Sequence, residues 1–189
     1  MLTAKLSSIP PTPEPVVIES TGDTIMDIQK IGVPMIVHIT GNECASYFGV
    51  STLDEDNELI DLLVNTVDPY YGVVIMDLGD KWTKRMKVEA SCAWTIEIRS
   101  LFSARSLDVP GTIEGTGDDV LQVTGETPDL VFITGNDCGS YFGVTAYGRQ
   151  VDLLVNTVDP YDGTGIVNAE AMIVVVQASC PWTIEITAK

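Results

Sequence analysis

Histidine is almost absent from this chain, which has one, His38, among its 189 residues. A Ser-His-Asp or Cys-His catalytic arrangement needs a positioned imidazole, so at most one such site could exist. Basic residues are also scarce, because ten lysines and arginines stand against 27 acidic residues and leave a net charge of −17. A surface of that sign repels phosphate backbones, and nucleic acid is therefore not an expected partner.

Long apolar runs and metal-binding spacings are missing as well. No stretch approaches the roughly 20 apolar residues of a membrane span, so no membrane partner is expected. The first 15 residues contain no central apolar stretch of the signal-peptide type, which predicts synthesis in the cytoplasm. There is no Cys-x-x-Cys pair and no phosphate-binding loop, and no cofactor or metal is expected. The acidic run Asp54–Glu58 lacks the glycine of a calcium loop and is interpreted as a solvated hairpin.

What the chain does contain is an internal duplication. The matching blocks are Ile39–Val50 with Ile133–Val144, Asp61–Tyr70 with Asp152–Tyr161, and Ala90–Ile98 with Ala178–Ile186. The first pair is identical at ten of twelve positions, the second is unchanged, and the third is identical at eight of nine. A repeat of this length sets the number of modules at two. The predicted organisation is an N-terminal arm over residues 1–15, repeat 1 over 16–104 and repeat 2 over 105–189.

Each repeat is rich in short β-branched and aromatic runs separated by turn residues, a pattern typical of a β-sandwich. The last run of repeat 2 alternates strictly, so that Trp182, Ile184 and Ile186 share one face of a strand. Eight strands are predicted per repeat, including one at Gly165–Val167 after an Asp-Pro-Tyr turn. The fold class is therefore all-β, and the segment Leu101–Pro110 is expected to be the boundary between the repeats.

Four cysteines occupy equivalent positions in the two repeats. Cys44 and Cys138 follow a Thr-Gly-Asn turn, while Cys92 and Cys180 stand two residues before a strand tryptophan. The duplication favours disulfides within each repeat, Cys44 with Cys92 and Cys138 with Cys180. In the chain-entropy model, closing loops of this length stabilises the fold by roughly 4 kcal/mol each. Buried free thiols, the normal state in a cytoplasm, remain an alternative, and a metal site is the poorest interpretation.

Isolated polar positions give little sign of catalysis. The counterpart of His38 in repeat 2 is Phe132, so this position is interpreted as a packing site. Asp68 and Asp159 each precede proline and are expected to cap turns. The chain is therefore predicted to be non-enzymatic, without catalytic residues.

Proline is concentrated at the N-terminus, where residues 10–15 hold four of the ten in the chain. A segment of this composition is expected to be extended and to have no core of its own. We expect such an arm to lie on a neighbouring subunit or partner. Its candidate contacts are the apolar residues Leu2, Leu6, Ile9 and Val16.

The segments Phe142–Val144, Leu153–Gly163 and Trp182–Ile186 resemble a β-sandwich module of bacterial secreted and surface proteins. The resemblance implies two tandem immunoglobulin-like sandwiches and brings no catalytic residue with it. Two such modules with an extended arm are also similar to capsid decoration, or cement, proteins of tailed phages. That likeness implies a structural protein on the virion surface, which binds a major capsid protein as part of a homo-oligomer or lattice. The alternative is a cell-surface or extracellular module that binds glycan or protein.

Overall fold

The computed structural model describes residues 13–30 and 34–189, which are almost entirely β-structure. One turn of 3₁₀ helix, Leu101–Ser103, lies between the repeats. The strands of repeat 1 are β1 Val16–Thr21, β2 Thr24–Asp27, β3 Met35–Gly41, β4 Phe48–Leu53, β5 Leu59–Thr66, β6 Tyr70–Met76, β7 Arg85–Ala90 and β8 Ala93–Ser100. The strands of repeat 2 are β9 Arg105–Val109, β10 Gly111–Thr116, β11 Asp119–Gly125, β12 Pro128–Gly135, β13 Phe142–Tyr147, β14 Val151–Thr157, β15 Tyr161–Ile166, β16 Ile173–Ala178 and β17 Pro181–Ala188.

The strands of repeat 1 form two four-stranded sheets, in the orders β1-β8-β3-β6 and β2-β7-β4-β5. The first strand pairs with the eighth, the second with the seventh, the third with the sixth and the fourth with the fifth, all antiparallel. The chain is thus a long hairpin rolled into two sheets, the arrangement of an eight-stranded jelly roll. In repeat 2 the same order recurs as β10-β17-β12-β15 and β14-β13-β16-β11. The prediction of an all-β sandwich fold is confirmed.

The strand order differs from the immunoglobulin-like order that the resemblance implied. In an immunoglobulin sandwich the first two strands pair within one sheet, whereas β1 and β2 lie in opposite sheets. Alternating apolar residues cannot distinguish the two orders, because both direct every second side chain into one core. Strand order depends on which loops cross from one sheet to the other. The tertiary structure decides these crossings, and the local sequence pattern does not show them.

Repeat 2 has a fifth strand in its second sheet. β9 runs parallel to β11 and buries Leu107 and Val109 in the core of repeat 2. The segment Leu101–Pro110, predicted to be only a boundary, therefore contains a strand of the sandwich. A cis peptide bond between Val109 and Pro110 leads directly into β10.

Strands β6 and β15 begin earlier than the sequence predicts. The Asp-Pro-Tyr segments were expected to be turns, but Tyr70 and Tyr161 are already the first residues of these strands. Each tyrosine ring crosses the face of the glycine two residues later, where a β-carbon would collide with the phenol oxygen. Gly72 and Gly163, which weaken the strand signal, therefore make room for the aromatic ring.

A tryptophan ties the last strand of each repeat to its first turn. The indole N–H groups of Trp94 and Trp182 donate to the carbonyl oxygens of Gly22 and Gly117, at 3.0 and 2.9 Å. Both glycines have positive φ, at 76° and 77°. The N–H group of each buried indole thus has a hydrogen-bond acceptor. This bond closes the sandwich at the end that carries the turn between β1 and β2, or between β10 and β11.

Candidate functional site

Most of the predicted arm contacts lie beyond what the structure describes. Leu2, Leu6 and Ile9 are outside the described residues, while Pro13–Pro15 are exposed and precede β1. Val16 is the first residue of β1, faces Ile98 across the sheet, and packs against the core of repeat 1. Its side chain therefore contributes to its own sandwich.

Each repeat contains the disulfide that the duplication favours. Cys44 is bonded to Cys92 and Cys138 to Cys180, with Cα–Cα distances of 6.2 and 6.0 Å. Both distances lie within the ordinary range for disulfides. Each bond joins the loop after β3 or β12 to the turn between the last two strands of the same repeat.

An asparagine holds the loop next to each disulfide, although its sequence indicated only a turn. Asn42 is 2% exposed and has a φ of 67°. Its amide nitrogen donates to the carbonyl oxygens of Ser46 and Asp68 at 2.6 and 2.9 Å, and its oxygen accepts from the Ser46 N–H at 3.1 Å. Asn136 makes the same three bonds in repeat 2. The asparagine amide therefore holds the Asp-Pro turn through the backbone carbonyl of the aspartate. The N–H of the same aspartate also donates to a nearby threonine hydroxyl.

The acidic run between β4 and β5 folds as the predicted hairpin. Asp54 accepts from the N–H groups of Asp56 and Glu58, both at 2.9 Å, and Arg85 donates to Asn57. Asp54 thus acts as the cap of its own turn. Within residues 13–30 and 34–189, no three histidine, cysteine or acidic side chains are grouped as a metal site would need.

A buried apolar cluster joins the two repeats. It consists of Ile36 on β3 together with Val120 and Ile173 on β11 and β16, and Val73 and Ile75 of β6 pack against it. The outer face of β3 and β6 therefore lies on the outer face of β11 and β16. Burial of these side chains excludes water from the contact between the two sandwiches. Their close packing opposes sliding of one sandwich over the other.

Hydrogen bonds accompany the apolar contact at the edge of the sheet. β6 is an edge strand, and the N–H of its Val73 donates to the carbonyl oxygen of Asp118 at 2.9 Å. The Tyr70 hydroxyl donates to Asp118 Oδ2 at 2.6 Å, while Oδ1 of the same carboxylate accepts from the Ala178 N–H at 2.8 Å. The turn before β11 thus satisfies an exposed strand edge of the other repeat.

Both members of this tyrosine–aspartate pair have shifted pKa values. Burial raises the pKa of the Tyr70 hydroxyl, and the nearby Asp118 charge raises it further. Burial also raises the pKa of Asp118, although its hydrogen bonds from Tyr70 and Ala178 act in the opposite direction. Each Asp118 oxygen accepts one hydrogen bond, Oδ2 from the Tyr70 hydroxyl and Oδ1 from the Ala178 N–H.

A groove of about 780 Å³ opens beside this pair at the junction. Tyr70, Tyr71, Asp118 and Tyr141 line it together with strand β5. The walls combine apolar side chains with peptide groups and the partly buried carboxylate of Asp118. Both repeats therefore contribute residues to the walls of this groove.

His38 lies on the outer face of β3, among the strands that meet repeat 2. Burial lowers its pKa, and the charge of Arg99 lowers it further. Its Nε2 has no hydrogen-bond partner among the described residues, and Arg99 is engaged by Glu97 at 2.7 Å. This environment favours a neutral, packed imidazole and agrees with the interpretation of the position as a packing site.

Comparison with known proteins does not assign the chain to a family. No family model matches it, and no curated protein matches it. Among solved structures, the chain is similar to a regulatory subunit of a cAMP-independent protein kinase A from Trypanosoma cruzi bound to guanosine. That match has 9% identity and a TM-score of 0.24, and covers 91% of this chain and 72% of the other. A likeness of this size carries no functional argument. In the described residues, no helix has the length and apolar character to span a membrane.

Proposed function

We propose that this chain is a non-enzymatic structural protein that decorates and stabilises an assembled protein surface, namely the capsid of a tailed phage. The observation that carries the proposal is the junction between its repeats. A buried apolar cluster and the hydrogen bonds of Asp118 combine two jelly rolls into one unit. Two sandwiches packed on each other in this way suit a protein that must hold neighbouring subunits at fixed spacing.

The fold and the cysteines are compatible with this role. Eight-stranded jelly rolls are frequent in capsid proteins and also in lectins, so the fold by itself is an analogy. A virion protein is made in a cytoplasm and then meets oxidising surroundings. That history accommodates the two disulfides.

The position of β9 indicates how the N-terminal arm could attach. Val16 pairs with Ile98 in repeat 1, and Gly111 pairs with Ile186 at the equivalent place in repeat 2. Residues 10–14 therefore have the same position in the sequence relative to β1 as β9 has relative to β10. Prolines stand at alternate positions 11, 13 and 15. Alternate N–H groups of an extended strand point to opposite sides, so Thr12 and Glu14 would direct their N–H groups to one side, which carries only Pro10 of the arm's prolines. We propose that the arm adds as an edge strand to a sheet of the partner.

Immunogold electron microscopy tests the assignment. Antibody raised against the purified chain would be applied to intact particles and to cells from the source culture. The proposal requires gold on capsid shells of particles that band at the density of filled heads. Gold confined to the cell envelope would support the surface-binding alternative instead, and particles without gold would refute the capsid role.

A further inference from the structure

We propose that a second copy of this chain docks head to tail, by repeating between chains the junction that joins the two repeats within one chain. The occupant of the free face of repeat 2 would be repeat 1 of the next copy. The inference does not depend on the capsid role, because it uses only the internal junction and the duplication.

The internal junction is made from two different faces. Repeat 1 supplies its β3–β6 face, with Ile36, Val73 and Ile75, and repeat 2 supplies its β11–β16 face, with Val120 and Ile173. Because the repeats have the same strand order, each of them also has the other face. The two faces left over are the β12–β15 face of repeat 2 and the β2–β7 face of repeat 1.

The β12–β15 face keeps most of the apolar character of its counterpart, with Thr164 in place of Val73. Ile166 corresponds to Ile75 and is 77% exposed, and Phe132 corresponds to His38 and is 39% exposed. Leu130 stands where repeat 1 has the fully buried Ile36. A cluster of large apolar side chains on one sheet face marks an interaction surface.

The polar part of the junction is also present on the free faces. Tyr161 stands where repeat 1 has Tyr70, and Asp23 stands where repeat 2 has Asp118. Oδ1 of Asp23 accepts from the Ala90 N–H at 2.9 Å, the counterpart of the bond from Ala178 to Asp118. Among the described residues, the Tyr161 hydroxyl and Oδ2 of Asp23 have no hydrogen-bond partner. They are the two groups that the junction would join.

The backbone around Asp23 leaves room for a neighbouring strand. A β-carbon at Gly117 would meet the carbonyl oxygen of Tyr71 across the junction at 3.0 Å. At the equivalent Gly22 the nearest heavy atom is the carbonyl oxygen of Ala90, at 3.8 Å and in the same repeat. The turn before β2 therefore has the same shape as the turn before β11, without the strand that lies against it.

The two free faces differ in charge in a complementary sense. Arg85 and Lys87 replace Ile173 and Val175 on the β2–β7 face, and four of the ten basic residues lie within residues 81–87. Arg85 and Lys87 are paired with acidic neighbours but remain partly exposed. The facing surface of repeat 2 presents the exposed Asp162 and Glu185, for which the described residues supply no ion pair. Ile25, 62% exposed, gives the basic face an apolar centre.

Docking through two different faces is heterologous, so one free face of each kind always remains until a ring closes. The test is sedimentation velocity of the full chain over a wide concentration range. We expect oligomers whose size grows with concentration. A chain that stays monomeric throughout would overturn the inference.

Two variants separate the faces. Ile166→Asp disables the β12–β15 face and Lys87→Glu the β2–β7 face, and both residues are exposed enough for the fold to persist. Each variant alone should be monomeric, and an equal mixture should form a 1:1 dimer and nothing larger. Val151→Asp, at a position 63% exposed on β14, is the matched control and should assemble like the unmodified chain.

Alternative modes of association give different results in the same experiment. If two copies met through their β12–β15 faces, Lys87→Glu would still self-associate, and the inference would be wrong. Tyr161→Phe removes only the hydroxyl and should weaken self-association about five- to tenfold, the usual effect of losing one hydrogen bond. An unchanged association constant for Tyr161→Phe would exclude the equivalent of the Tyr70–Asp118 contact.

Discussion

At the scale of single residues, polar side chains hold the irregular parts of this β-protein in place. Asn42 and Asn136 each bridge a disulfide loop and an Asp-Pro turn from a buried position. Asparagine is suited to this role because it tolerates positive φ and has both a donor and an acceptor. Asn42 and Asn136 have φ angles of 67° and 68°.

Asn136→Ala should lower the free energy of unfolding by about 2–4 kcal/mol. The change removes the side-chain donor to the carbonyl groups of Ser140 and Asp159 and places alanine in a left-handed conformation. Urea denaturation measures the loss, with Asn156→Ala as the control because Asn156 is exposed on β14. A loss below about 1 kcal/mol would show that water replaces the side chain.

Asp118 should make the stability of the molecule dependent on pH. Burial raises the pKa of Asp118 in the folded state above the usual 3.8 of an aspartate, so the folded state holds this proton more tightly than the unfolded state. Its contribution to the free energy of unfolding is therefore largest below pH 3.8 and declines as the pH rises through the raised pKa. Thermal unfolding of Asp118→Asn between pH 3 and 7 should lack this decline. Parallel pH profiles for both proteins would contradict the assignment.

At the scale of elements, the strand pairing shows which segments carry the fold. β9 lies in a segment whose composition indicates a linker, yet it pairs along β11 and contributes two buried side chains. The described part of the N-terminal arm contributes none, because Pro13–Pro15 are exposed. We therefore expect the two segments to respond oppositely to change.

Leu107→Ala on β9 should lower the free energy of unfolding by about 2–4 kcal/mol, through a cavity in the core of repeat 2. Leu107 is 1% exposed, whereas the adjacent Ser106 is exposed and supplies the control Ser106→Ala. Denaturant unfolding of both variants makes the comparison. Equal stabilities would mean that β9 is only a tether.

Deleting residues 1–15 should leave both sandwiches folded and abolish binding to the capsid. We propose that N–H groups of the arm donate hydrogen bonds to the partner, so their loss removes the attachment. The hydrophobic cores of both repeats lie within residues 16–189 and stay complete. Circular dichroism monitors the fold, and co-sedimentation with particles depleted of the protein monitors binding. A truncated chain that binds with unchanged affinity would exclude the arm as the attachment element.

At the scale of the whole molecule, the two sandwiches share one buried cluster and should unfold together. The junction includes the fully buried Ile36 and Val120 from different repeats. Ile36→Asp places a charge there and should split one calorimetric transition into two, because each repeat keeps its own core and disulfide. A single transition of unchanged shape in this variant would show that the junction does not couple the repeats.

The pairing of distant segments also limits folding speed. Joining β1 to β8 and β10 to β17 requires closure of nearly the whole module before the sheet is complete. Folds dominated by such contacts fold slowly compared with helical proteins. The disulfides shorten these closures when they form early.

The sequence by itself determined the features that repeat locally along the chain. Alternation in residues such as Trp182, Ile184 and Ile186 predicted buried strands, and the duplication predicted the pairing of Cys138 with Cys180. These predictions succeed because a strand needs only its own period of two, and a repeated cysteine pair needs only its copy.

Only the tertiary structure decided the strand order, the role of β9 and the junction. The jelly-roll order and the immunoglobulin order place the same alternating residues in a core, so the choice depends on loops that cross between sheets. Likewise, Tyr70 and Asp118 are 48 residues apart in sequence, and each has a counterpart with no such contact among the described residues. Their meeting depends on how one sandwich lies against the other, and no local pattern encodes that distance.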